Sequence, residues 1–147
     1  MPDQTDLAYA AGIIDGEGSI VVGRHPSKSC RRGFSFDLSV QVLMTDWEVP
    51  SWLHLNFGGC FFEQPPRKGM KRRRLYGWRL YSINAQHFLE LALPYLKIKR
   101  LQAELATEFQ KLKAKRGEYH RYSPKPAALL EAEDILAEQV RELNQRS

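Results

Sequence analysis

Cysteine is nearly absent from this chain: Cys30 and Cys60 are the only two among 147 residues, and no paired spacing joins them. That excludes a disulfide framework and a thiolate zinc site, and it suits a reducing compartment in which both remain thiols. Long apolar runs are missing too, and none approaches the ~20 residues of a membrane span. No long-period repeat is present. The N-terminus is acidic and polar, and the first apolar stretch is short and alanine-rich, so no secretory leader is expected. The expected setting is intracellular, either a bacterial cytoplasm or an organelle. What remains is an ordinary globular composition, 43% hydrophobic and 27% charged. It is enough for a single domain over 1–147 with a real core at about 5–115 and a C-terminal helix at about 126–145. The formal net charge is +5 and the pI about 9.3, which favours an anionic partner without naming it.

The chain is organised around Ala8-Tyr9-Ala10-Ala11-Gly12-Ile13-Ile14-Asp15-Gly16-Glu17-Gly18. Residues 7–14 predict a helix, capped by Thr5 or Asp6, with no polar side chain except the Tyr9 hydroxyl. A surface helix shows one apolar stripe and one polar face. This one is apolar all round, so burial on every side is expected: one face against its own core, the other against a partner. Ala8, Ala11 and Gly12 are small enough to admit another backbone. Gly16 and Gly18 both tolerate the left-handed conformation that ends helices. Asp15 and Glu17 stand where the helix dipole is already negative, at a cost of roughly 0.3–1 kcal/mol each. Two packed copies would bring two Glu17 carboxylates together, and that repulsion calls for a divalent cation with oxygen ligands.

Residues 10–18, A-A-G-I-I-D-G-E-G, resemble the motif that names the LAGLIDADG homing endonucleases. Gly12, Ile14, Asp15 and Gly18 match by identity, and Ile13 and Glu17 by chemical type. With a single copy of the motif, the resemblance is to the single-motif, homodimeric branch. It implies an αββαββα α+β fold whose four-stranded antiparallel sheet binds DNA, with added C-terminal helices. It implies a dimer interface along Ala8, Ala11, Gly12 and Asp15. It makes Glu17, helped by the Gly16 carbonyl, the holder of the catalytic metal: Mg²⁺ or Mn²⁺, with Ca²⁺ binding without cleavage.

The rest of the chain reads in the same order. Residues 19–24 predict a strand, and 25–33 a turn-rich basic connection. Residues 34–42 alternate cleanly, with Phe34, Phe36, Leu38, Val40 and Val42 on one face and Ser35, Asp37, Ser39 and Gln41 on the other. A short helix then carries Trp52, Leu53, Leu55 and Phe57 and stops at Gly58-Gly59. Residues 60–63 and 74–82 predict two more strands, the last with Trp78 and Leu80 opposite Arg79 and Tyr81. A helix over 85–93 is broken by Pro94. A long helix over 97–115 is expected to bury Leu101, Leu105, Phe109 and Leu112. After a loop over 117–126, a last, net acidic helix over 127–143 carries Leu129, Leu136, Val140 and Leu143 on one side.

The free sheet face is the expected DNA surface. Ser19, Ser35, Asp37, Ser39 and Gln41 would face base edges, with glutamine suited to adenine, aspartate to the cytosine amine and arginine to guanine. Arg24, His25, Lys28, Arg31 and Arg32 belong to the first hairpin. Gln64, Arg67, Lys68, Lys71, Arg72, Arg73, Tyr76 and Arg79 belong to the second. A ten-residue strand spans roughly 33 Å, or about ten base pairs at ~3.4 Å each, so a two-fold dimer would read two related half-sites. The segment Leu93-Pro94-Tyr95-Leu96-Lys97-Ile98-Lys99-Arg100-Leu101-Gln102-Ala103 is similar to one of the family's. The resemblance makes Lys99 its active-site lysine, with Lys97 as a control. Asp46 stands where many relatives order active-site water, and it equally suits a helix cap. The implied activity is site-specific, metal-dependent double-strand cleavage leaving 3′ overhangs. An RNA maturase or a non-cleaving DNA binder on the same scaffold is the alternative.

Overall fold

The computed structural model describes residues 2–30, 32–69, 71, 73–116 and 127–146. The elements run α1 (Gln4–Glu17), β1 (Gly18–Pro26), β2 (Phe34–Met44), α2 (Glu48–Phe57), β3 (Cys60–Gln64), β4 (Leu75–Tyr81), α3 (Ser82–Ala92), α4 (Arg100–Arg116) and α5 (Ala127–Arg146). The four strands form one antiparallel sheet in the order β1-β2-β4-β3. This is the expected α+β arrangement. The expected loop over 117–126 lies outside the described residues. No helix among the described residues is long and apolar enough to cross a membrane.

Period-two alternation decides which sheet face is covered. Ile20 and Val22 of β1, Leu38, Val40 and Val42 of β2, and Trp78 and Leu80 of β4 are buried beneath the helices. The helices answer with Ala10, Ala11 and Ile14 of α1, Leu53 of α2, Phe88 and Leu89 of α3, Ala106 and Phe109 of α4, and Val140 of α5. Edge-on aromatic pairs run from Tyr9 through Trp52, Phe57 and Phe88 to Trp78 at centroid separations of 5.0–5.9 Å. The buried Trp78 indole N–H donates to the Gly58 carbonyl at 2.7 Å, so its polar end carries no desolvation penalty.

Several boundaries differ from expectation. Asp3, rather than Thr5 or Asp6, caps α1: its carboxylate accepts the Asp6 N–H while the Asp6 carboxylate accepts its own. The helix runs through Gly16 to Glu17 and is not ended by a left-handed glycine. Gly18 has φ −88 and begins β1 directly. Glycine is needed there for closeness, because a Cβ would sit 2.7 Å from the Ile14 Cα. Gly58 and Gly59 do end α2, with φ +74 and +84. Pro94 converts the end of α3 into a single 3₁₀ turn. The long fourth helix starts at Arg100, and its covered face carries Gln102, Ala103, Ala106, Thr107, Phe109 and Gln110, while Leu101 is 50% exposed.

Side chains of α4 and α5 reach the backbone of the β1–β2 hairpin. β4 pairs Ser39–Met44 of β2, and the outer half of β2 has no strand on that edge among the described residues. Lys113 of α4 reaches that edge, donating to the Phe36 carbonyl at 2.7 Å and to the Asp37 carboxylate. On the other side, Asn144 of α5 donates to the Ile20 carbonyl of edge strand β1 at 2.8 Å.

Candidate active site and nucleic-acid face

The end of α1 and the start of α4 hold each other by exchanging charges. The Asp15 carboxylate accepts the backbone N–H groups of Lys97, Ile98 and Lys99 at 2.8, 3.2 and 2.9 Å. It therefore lies at the positive, N-terminal end of α4. In return the Lys99 ammonium donates to the Ile14 and Asp15 carbonyls at 3.0 and 2.9 Å, at the negative end of α1. A carboxylate at a helix C-terminus and a lysine at a helix N-terminus each oppose their own dipole. Here each serves the other helix instead. Asp15 thereby satisfies N–H donors at the entry to α4 that have no partner within the helix.

Asp15, expected at the dimer interface, is thus engaged within this chain while remaining partly exposed. Ala11 departs from that expectation, since it is fully buried in this chain's own core. Ala8, Gly12 and Gly16 are exposed and recur every fourth residue along α1, so they share one face. Among the described residues a Cβ at Gly12 or Gly16 would have nothing within 4 Å. Of the apolar helix, one side is therefore covered and the other is bare.

Glu17 is the last residue of α1 and is exposed. Among the described residues it has no ion pair or hydrogen-bond partner for its carboxylate. The exchange brings the Lys99 ammonium to the same helix end. Among the described residues no cluster of three or more histidine, cysteine, aspartate or glutamate side chains could enclose an ion. One chain therefore offers a lone hard-oxygen donor. That fits magnesium, which keeps much of its water and binds through one or two carboxylates plus substrate phosphate. Asp46 is exposed just before α2, and its carboxylate accepts the Glu48 N–H at 3.0 Å from one residue outside the N-cap, which is Trp47 and has no side-chain cap bond.

The sheet face away from the helices carries Ser19, Val21, Gly23 and His25 of β1 and Ser35, Asp37, Ser39, Gln41 and Leu43 of β2. Cys60, Phe62 and Gln64 of β3 and Leu75, Gly77, Arg79 and Tyr81 of β4 complete it. Lys28, Arg67, Lys68, Lys71 and Arg73 are exposed in the two connections. Arg31 and Arg72 lie outside the described residues.

Three expected contacts are turned elsewhere. Arg24 shares the parity of Ile20 and Val22, and its guanidinium lies 3.8 Å over the Phe34 ring. Tyr76 shares the parity of Trp78 and stacks on Phe61 at 6.4 Å. Arg32 is largely covered, bonding Asp134 of α5 at 2.7 Å and the Phe34 carbonyl at 3.2 Å, with the buried Glu133 at 3.7 Å. Asp37 stays on the open face but is held by Lys113, with His25 3.7 Å away. Sequence reasoning missed Phe62, Tyr81 and the acidic pair of α5. Only Tyr81 had left a signal, its alternation with Arg79.

No family model matches the chain, and no curated protein sequence matches it. Solved structures do. The homing endonuclease I-CvuI, in complex with the I-CreI target, superposes with a TM-score of 0.76 at 22% identity, over 95% of this chain and 82% of that one. The archaeal intron-encoded homing endonuclease I-Vdi141I, complexed with DNA, gives 0.75 at 17% identity over 95% and 84%. The LAGLIDADG homing endonuclease I-SmaMI, bound to cleaved DNA, gives 0.69 at 19% identity, over 92% of this chain and 43% of that longer one. The fold of this chain is the LAGLIDADG homing-endonuclease fold.

Proposed function

We propose that this chain is a homodimeric, metal-dependent endonuclease that cuts double-stranded DNA at a long site made of two related half-sites. The observation that carries the reading is the exchange between Asp15 and Lys99, which leaves Glu17 exposed at the helix end where the ammonium is anchored. Three further observations support it. Structural neighbours of the same fold are DNA complexes. The bare stripe on α1 offers a self-complementary surface of the kind a two-fold contact requires. I-SmaMI, of which this chain covers 43%, has length for a second unit of similar size.

In this mechanism the motif helices of two copies pack along Ala8, Gly12 and Gly16 and bring two Glu17 carboxylates over the duplex. Each Glu17, with the Gly16 carbonyl, would hold a magnesium or manganese ion, whose chemistry is to acidify water and offset charge on the phosphate. Structures of I-CvuI with DNA were obtained with magnesium and with calcium. Lysine has three N–H donors, and two of those on Lys99 are occupied by the α1 carbonyls. The third is oriented by them for a phosphate oxygen or the attacking water. Such a preorganised donor stabilises charge that develops only in the transition state. Asp46 is the candidate to position water at the margin of the site. The cuts fall across the minor groove, one per copy, and leave 3′ overhangs.

The test is Glu17→Gln. It removes the carboxylate charge with almost no change of shape, so site-specific binding persists while cleavage in Mg²⁺ disappears. Retained cutting would contradict the assignment, and specific binding by a wild type that never cuts with any divalent ion would favour the non-cleaving alternative.

A further inference from the structure

Arg79, Gln41, Tyr81 and Phe62 form a fixed unit on the open sheet face. The Arg79 Nε donates to the Gln41 Oε1 at 2.7 Å, its Nη2 donates to the same oxygen, and its Nη1 donates to the Tyr81 hydroxyl at 2.8 Å. The guanidinium lies 4.9 Å over the Phe62 ring. Arg79 therefore cannot swing freely, and its direction is set before any ligand arrives.

The hydrogen-bond inventory of the unit is one-sided. Arginine has five N–H donors; three are occupied, and one N–H each on Nη1 and Nη2 remains. A glutamine amide reads adenine by offering an acceptor and a donor together. Here the Gln41 carbonyl faces Arg79, so only its NH₂ group is left to face outward. What the unit presents is thus donors and no amide acceptor. The base edge that answers adjacent donors with adjacent acceptors is the major-groove edge of guanine, through N7 and O6. Adenine and cytosine each place an amino donor there, which would oppose the donors of the unit.

The register places the unit along the site. Ser19, Gln41, Arg79 and Cys60 lie in one row across the four strands, and Ser19 is two residues beyond Glu17. With the duplex running along the strands, this row meets the base pairs nearest the cut, while the 25–33 connection meets the outermost ones.

We infer that Arg79, held by Gln41 and Tyr81, reads a guanine in the inner part of each half-site. This replaces the expectation that Gln41 reads adenine, and it rests on the proposed DNA-cutting function. The test is selection of bound and cleaved sites from a random duplex library by the full-length protein. The wild type enriches guanine at one inner position, repeated symmetrically in the two halves. Arg79→Ala loses the preference at that position and keeps the rest of the consensus. A good bidentate contact sets the expected discrimination at about 10- to 100-fold. Gln41→Ala, which keeps the arginine but frees it, weakens the preference several-fold. A third arm leaves the protein intact: 7-deazaguanine at the position removes only N7 and lowers affinity, whereas the same change elsewhere in the inner region does not. A wild-type consensus without an inner guanine, or one that Arg79→Ala leaves unchanged, overturns the inference while leaving the endonuclease reading standing. Failure of the wild type to enrich any sequence overturns both.

Discussion

Asp15 shows how a residue that looks misplaced in the sequence becomes sensible in three dimensions. Its three backbone partners lie 82 to 84 residues away, so nothing local could disclose them. Resemblance pointed to Glu17 through residues 10–18 and to Lys99 through residues 93–103, but nothing in the sequence disclosed what anchors Lys99. Asp15→Ala would leave three N–H groups unanswered and release the start of α4. We expect a loss of about 2–3 kcal/mol in urea unfolding, the scale of hydrogen bonds to a charged group, together with a fall in cleavage rate from the displaced Lys99. Lys99→Met should cost only about 1 kcal/mol of stability, as a helix-end charge does, yet remove most of the cleavage activity. Lys97→Ala serves as the control, because its side chain is exposed and its backbone N–H remains; stability and rate should hardly change. Equal losses from Lys97 and Lys99 would show that charge alone, rather than the anchored ammonium, matters. Gln41 and Arg79 carry the same lesson: alternation put both on the wet face, but their mutual bond changes what each can read.

Among the elements, the strands were the most legible, because period two with one wet face survives any uncertainty about their ends. Helix termini were less so. Gly16 and Gly18 are both permissive residues, and only the closeness of Ile14 shows that one is helical and the other extended. On α4 the expected stripe holds at Phe109 and Leu105 and fails at Leu101, because the covered face also carries Gln102, Thr107 and Gln110 beside its alanines and hydrophobicity alone could not single these out. The basic first hairpin hid a further fact. Its Arg32 is bound inward by Asp134 and Glu133, and the latter has no exposed surface. α5 therefore holds the hairpin instead of merely adding to the core. Arg32→Ala loses the 2.7 Å bond to Asp134 and the cation beside the buried Glu133, so it should destabilise by about 1.5–3 kcal/mol, the scale of hydrogen bonds to charged groups, and weaken DNA affinity without lowering the rate of the bound complex. A substitution with unchanged stability but a reduced salt dependence of binding would instead mark Arg32 as a phosphate contact.

For the whole molecule, the sequence predicted a helix with two covered sides, and the single chain covers one. Gly12 is where the two demands separate. Among the described residues of one chain a Cβ there touches nothing, so Gly12→Ala should raise the intrinsic stability of α1 by up to about 1 kcal/mol. Against a second copy the same methyl keeps the backbones apart. Gly12→Leu is accordingly expected to yield a folded monomer by sedimentation and circular dichroism that no longer cuts both strands; a dimer of wild-type strength would place the contact elsewhere. The claim on which the account turns is that two copies act together, each with its own Glu17 on one strand. Its most direct measurement uses mixed dimers, one copy wild type and the other Glu17→Gln, purified through different tags and given a supercoiled plasmid carrying the site. The account predicts a nick in one strand, with little linear product. Linear product at the wild-type rate, or no cutting at all, would contradict it.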